Sequence, residues 1–126
     1  MIYFLLVDRF LDGDPANNGA VDLADPQAFH GGDLAGVTAK LDYLRELGVD
    51  TLWLGPITQM RTEKFHGWGA YHGYWLDDPL ALEPRFGATP DLDALARGAR
   101  ARGIGLVLDT VYNHVAPDHP LVSSHP

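Results

Sequence analysis

Residues 104–115 read IGLVLDTVYNHV. The apolar run Ile104-Gly105-Leu106-Val107-Leu108 has the character of a buried strand, and it ends in an acid, Asp109. Asn113 and His114 follow in the turn beyond it. A carboxylate closing a buried strand must be bonded or paired, because its desolvation is otherwise expensive. If the strand is parallel to its neighbours, its carboxyl end is where ligand sites open. Two readings stand side by side. In the functional one, Asp109 meets a cation or an arginine, while Asn113 and His114 face a ligand or metal. In the plainer one, Asp109 caps a turn or helix and His114 is a surface residue. Position favours the functional reading.

The rest of the fold is read outward from this strand, Gly105–Val111. Before it, Leu92, Leu95, Ala96 and Ala99 recur at helical spacing. Thr89 is the expected N-cap with Pro90 at the first helical position, and Gly103 closes the helix. Thr51–Leu54 is a second short strand. It follows a helical pattern of Leu34, Val37, Leu41, Leu44 and Leu47, with Asp33 as N-cap and Gly48 just past the end. Ile2–Val7 is a continuous apolar run that suits a strand buried on both faces. Residues 55–88 show no clear period, yet hold Trp68, Tyr71, Tyr74 and Trp75, so this long loop reads as functional. The order β-loop-α-β-loop-α-β implies parallel β/α units with right-handed crossovers. A dinucleotide-binding sheet would carry G-x-G-x-x-G after its first strand, where this chain has DRFLDGDPANN. The alternative is the expected fold: α/β, about the first three β/α units of a (β/α)8 TIM barrel.

Composition narrows the function. The chain has 126 residues, 46% of them hydrophobic and 10% aromatic, enough for one globular core. Seventeen acids against nine bases give a net charge of −8, which argues against nucleic acid as a partner. There is no cysteine, hence no thiolate metal site and no disulfide framework. No apolar run approaches the roughly 20 residues of a membrane-spanning helix, so a membrane is not an expected partner. The start, MIYFLLVDRF, lacks a basic region and a small-residue cleavage site. It reads as a strand rather than a signal peptide and leaves the compartment unknown.

Two further motifs carry chemistry. D12-G-D14-P-A-N17-N18, followed by H30-G-G-D33, puts four side-chain oxygens on a short turn. Asp33 and a backbone carbonyl near Gly31 could complete an oxygen cage for calcium. The plain reading is a set of turn-forming residues. A70-Y-H-G-Y-W75 groups three aromatic rings and an imidazole. Flat rings stack on the apolar face of a sugar and His72 can bond a hydroxyl, or the group is a cluster pinning its loop.

Taken together, these motifs resemble the N-terminal part of the α-amylase superfamily of glycoside hydrolases. The resemblance runs from IYFLLVDRF through GGDLAGVTAKLDYLRELGVDTLWLGPI and AYHGYW to LVLDTVYNHV. D-x-x-x-N-H after an apolar strand resembles that family's first signature region, and AYHGYW its frequent companion. DGDPANN followed by GGD is similar to the calcium loop of cyclodextrin glucanotransferase-like members. The resemblance implies that Asp12, Asp14, Asn17, Asn18, Gly31 and Asp33 hold Ca2+. It further implies that Asn113 ligates a second, structural calcium. Tyr74 would stack on the sugar at the cleavage subsite, with Trp75 beside it, and His72 and His114 would bond that sugar. Asp109 would brace an arginine from strand four, a supporting role in catalysis.

The expected substrate is an α-glucan or maltooligosaccharide, cleaved with retention. Such cleavage needs a nucleophile and an acid/base, about 5 Å apart. In the family these come from strands four and five, beyond the three read here. The expectation is therefore a fragment, spanning residues 1–126 of the barrel and inactive alone, with an inserted domain beginning near 115–126. Other readings are an α-glucan transferase, a debranching enzyme, a trehalose synthase-like isomerase, or a non-catalytic calcium- or carbohydrate-binding protein on the same scaffold.

Overall fold

In the computed structural model, which describes residues 1–117 and 119–125, three runs of apolar residues form one parallel sheet. The strands are β1 (Ile2–Leu5), β2 (Thr51–Leu54) and β5 (Gly105–Leu108), in the order β1-β2-β5. The register aligns Phe4, Trp53 and Val107 in one row and Leu5, Leu54 and Leu108 in the next. Between the strands lie α1 (Leu34–Ala39), α2 (Leu41–Glu46) and α3 (Thr89–Ala101). Two consecutive β-α-β crossovers in one parallel sheet are the repeating unit of the expected barrel.

The helices cover one face of the sheet. Leu34, Val37, Leu41 and Leu44 pack with Leu95 and Ala99 against Leu52 and Leu54, all buried. The opposite face is open. Phe4 is 46% exposed, Trp53 41% and Val107 46%, with the Phe4 and Trp53 rings edge-on at 5.2 Å. The expectation that β1 is buried on both faces is thus corrected: an apolar run shows that a strand is apolar, not which of its faces is covered.

Four boundaries also differ from expectation. β1 stops at Leu5, and Val7–Arg9 forms a 3-10 turn. β5 stops at Leu108, so the stretch up to Val111 is loop. The helix read through Leu34–Leu47 is two helices broken at Lys40 (φ −105°, ψ 9°). Near that break the Thr38 hydroxyl donates to the Leu34 carbonyl at 2.8 Å, a back-bond of the kind that bends helices. Asp33 is the N-cap as expected, accepting from the Gly36 N–H at 2.6 Å. At α3 the cap is Ala88, not Thr89, and its N–H donates to Asp91 at 2.7 Å.

The loop 55–88 contains structure that its sequence did not announce. β3 (Thr58–Met60) pairs antiparallel with β4 (Leu76–Leu82), with irregular register at both steps. The buried Glu83 carboxylate accepts the Met60 N–H at 3.1 Å and the Arg85 Nε–H at 2.5 Å, which ties the hairpin down. A short helix, α4 (Pro120–Ser124), lies in the expected inserted segment 115–126, of which Asp118 and Pro126 fall outside the described residues.

Candidate functional site at the carboxyl ends of the strands

Because β1, β2 and β5 are parallel, the segments that follow them open at the same end of the sheet. They bring together residues 8–33, 55–75 and 109–115. Asp109 sits where β5 ends. Its N–H donates to the Leu54 carbonyl at 3.0 Å, continuing the ladder by one residue. Its half-buried carboxylate accepts the Tyr74 hydroxyl at 2.8 Å. A partner for this acid was expected, in the form of a cation or arginine; among the described residues the partner is a phenol. Burial, and then the Asp109 carboxylate, push the Tyr74 hydroxyl pKa up to about 12.

The loop presenting Tyr74 is tightly shaped. Gly73 has φ +85°, and a Cβ there would lie 2.2 Å from the Pro56 carbonyl oxygen. Only glycine suits that position. The turn lets the Tyr74 N–H donate to His72 Nδ1 at 3.0 Å, which leaves the proton of a neutral ring on Nε2. The His72 and Tyr74 rings stack, 5.8 Å apart and 23° from parallel. Trp75 meets His72 edge-on at 4.9 Å and Phe65 at 5.9 Å, and packs on the core. Burial, then the charge of Arg9, hold the His72 pKa below its ordinary value. A neutral imidazole with an Nε2–H is a hydroxyl-directed donor, and a stacked Tyr-His pair is a flat surface on which a sugar ring can lie.

His114 is exposed and reaches the same loop. Its Nε2 donates to the Tyr74 carbonyl at 2.8 Å, and its Nδ1 faces the Asn113 amide nitrogen at 3.4 Å. Both ring nitrogens therefore have protein partners, and a sugar would have to exchange with one of them. Asn113 is exposed, and among the described residues it bonds sideways to this imidazole.

The loop 12–33 folds around Asp33. One oxygen of that carboxylate accepts the N–H groups of Gly36 and Gly13, and the other those of Asp14 and the Asn17 side-chain amide, at 2.6–3.2 Å. Asn18 donates its amide to Asp12 at 2.6 Å, and Asp14 accepts from the Ala16 N–H at 3.1 Å. Gly36 allows the approach, since a Cβ would lie 1.9 Å from the Leu11 carbonyl oxygen. Among the described residues, Asn17 Oδ1 and Asn18 Oδ1 are both buried without a hydrogen-bond partner. Two orphaned amide oxygens beside Asp12 and Asp33 are what an oxygen-loving cation would satisfy. Among the described residues no three His, Cys, Asp or Glu side chains converge as a metal centre, so any cation here rests on the amides as well.

Sequence reasoning passed over Asp8 and Arg9. Asp8 follows the apolar run Ile2–Val7 as Asp109 follows Ile104–Leu108, and it is 2% exposed. Arg9 lies over the Tyr71 ring at 3.7 Å. The signal that singled out Asp109, an acid closing an apolar strand, was present at Asp8 too.

Comparison with known proteins finds likenesses over most of the chain. A family model described as the catalytic domain of alpha-amylase matches residues 4–125. The periplasmic alpha-amylase of Escherichia coli K12 is 40% identical over 129 aligned residues, covering 90% of this chain and 18% of that protein. A cyclomaltodextrin glucanotransferase of Bacillus sp. 1-1 is 35% identical, covering 93% of this chain and 18% of its own. Among solved structures, an Anoxybacillus alpha-amylase superimposes with a TM-score of 0.89 at 42% identity, covering 98% of this chain and 26% of that one. An alpha-amylase from Geobacillus thermoleovorans, complexed with acarbose, gives a TM-score of 0.81 at 41% identity, covering 98% and 25%. The chain thus spans about a fifth of these curated relatives and about a quarter of these solved ones.

Proposed function

Because the chain belongs to the α-amylase family, we propose that it forms the first three β/α units of a retaining glycoside hydrolase barrel acting on the α-glucosidic bonds of starch-like α-glucans. The observation that supports this most is the Tyr74–Asp109 bond at 2.8 Å, which fixes the stacked Tyr74 and His72 rings at the carboxyl end of the sheet. There His72 donates Nε2–H to a sugar hydroxyl, Tyr74 carries the apolar face of the ring, and Trp75 backs His72. Asp109, already taking one donor, has lone pairs left for the arginine expected from a fourth strand. His114 serves the same sugar by exchanging its bond to the Tyr74 carbonyl. Relatives named as amylases and as glucanotransferases match at 35–40% identity, so the proposal is cleavage of the α-glucosidic bond, the step both share.

The same reading assigns Ca2+ to Asp12, Asp14, Asn17, Asn18, Asp33 and the Gly31 carbonyl. The support is the pair of orphaned oxygens on Asn17 and Asn18. Each of these amides now donates to a carboxylate, and turning it over would aim its oxygen at that carboxylate instead. A cation between the two makes that arrangement favourable. Bound there, calcium supplies charge balance and rigidity to the loop. Asn113 is assigned to a second calcium whose remaining ligands lie beyond this chain, and residues 115–126 to the start of the inserted domain.

The experiment is a graft. The segment matching this chain in the Anoxybacillus relative is replaced by residues 1–126. The expected outcome is a folded enzyme that releases reducing sugar from starch with retained anomeric configuration, and that loses at least about 100-fold in kcat/KM when Tyr74 becomes Ala. A folded graft without hydrolysis would contradict the assignment.

A further inference from the structure

Asp8 and Arg9 have no part in the reading above, yet they lie between its two halves. The Asp8 carboxylate accepts the N–H of His30 at 2.9 and 3.0 Å and that of Gly31 at 3.2 Å. Its carbonyl accepts the Gly32 N–H at 2.9 Å. Asp8 therefore fixes the backbone from which the Gly31 carbonyl and Asp33 project. Arg9 grips the same region. Its Nη1 donates to Asp8 at 2.5 Å and to the Ala28 carbonyl at 2.9 Å, and its Nη2 donates to the Pro26 carbonyl at 2.7 Å. The guanidinium lies 3.7 Å over the Tyr71 ring, and Tyr71 meets His72 edge-on at 5.3 Å. Each step from the cation loop to the sugar-facing imidazole is a direct contact.

We propose that Arg9 is a positioning residue that couples the cation loop to His72. The coupling runs from Gly31 to Asp8, from Asp8 to the guanidinium, and through Tyr71 to the imidazole. It rests on the calcium and sugar roles assigned above and adds that the two sites are linked. The side chain suits the task. Arginine offers several donors in a planar fork, which serves three acceptors here, and a flat face for an aromatic ring. Lysine would bring the charge without the fork or the plane. A cation held by the Gly31 carbonyl would bear on the His30 and Gly31 amides, and through them on Asp8 and Arg9.

The test uses the 126-residue chain, isotopically labelled and titrated with calcium chloride by calorimetry and by NMR of the imidazole. In the wild type, calcium binds and the His72 resonances move with the same midpoint. Arg9→Lys and Tyr71→Leu keep the calcium Kd within about threefold of wild type, while the His72 response falls by about half or more. Tyr71→Leu leaves the Asp8–Arg9 contacts in place, so it tests the last step where an Arg9 change would disturb the fold. If Arg9 merely held the loop together, its loss would weaken calcium binding in step with the response, and that result overturns the proposal. So does a wild type that binds calcium with His72 unmoved, or variants with an undiminished response. A wild type that takes up no calcium overturns the cation assignment itself and the coupling with it.

Discussion

The hydrogen bond from Tyr74 to Asp109 is the joint between the aromatic loop and the signature strand, and Tyr74→Phe removes it while keeping the ring. A hydrogen bond to a charged group contributes about 1.5–3 kcal/mol when well buried. Both residues are only half-buried, so solvent screening lowers the figure to about 1 kcal/mol. Asp109→Ala removes the other partner, and the double variant closes a cycle whose coupling energy is expected near 1 kcal/mol. The assay is urea unfolding followed by far-UV dichroism, with equal m-values required for the comparison.

The pH dependence carries a second signature. The Tyr74 pKa is raised from 10.0 to about 12 in the folded protein. A raised folded pKa means that its contribution is fully present below pH 10 and is lost as pH climbs through 12. The stability difference between wild type and Tyr74→Phe should therefore be constant up to about pH 10 and shrink between pH 10 and 12. A coupling energy below about 0.3 kcal/mol, or a difference that does not change over that window, would refute the reasoning.

Three further outcomes are expected. Asp33→Ala should weaken calcium binding more than Asp14→Ala by calorimetry, because Asp33 gathers three donors of the loop and one of α1 while Asp14 accepts one local N–H; calcium affinity equal to wild type in both would remove these residues from the site. The 126-residue chain by itself should release no reducing sugar from starch above a His72→Ala control, since positioning groups do not replace a nucleophile and an acid/base. The exposed row of Phe4, Trp53 and Val107, on a sheet with two open edges, should drive association, and Trp53→Glu should shift the sedimentation distribution toward monomer; a wild type that is already monomeric at all concentrations would show that this face does not self-associate.

How far the sequence foretold this arrangement depended on how local each signal was. The three strands were legible because each is an unbroken apolar run between turn residues. Asp33 was legible as a cap because the capping bond spans three residues. The break at Lys40 was not, since the apolar spacing runs straight through it and the cause is one hydroxyl turned back at Thr38. The β3/β4 hairpin escaped because Pro79 interrupts β4, Asp77 and Asp78 spoil its alternation, and the register slips at each step. The site followed the same division. Tyr74, His72 and Asp109 are placed together because two parallel strands end side by side, as the alternation of strand and helix required. The phenol as partner of Asp109 depends on a contact 35 residues apart in sequence, which no local pattern records. Asp8 and Arg9 needed the fold too, for their partners at 26–31 and 71 are set by how two loops cross.

The central claim is that this end of the sheet receives an α-glucan on Tyr74 and His72. Saturation-transfer NMR with maltotetraose, run on the 126-residue chain and on Tyr74→Ala, tests it directly. The account predicts transfer from the aromatic protons of the wild type to the sugar, competed by acarbose and lost in Tyr74→Ala. Transfer of equal strength in the variant, or none in a wild type shown to be folded, would contradict it.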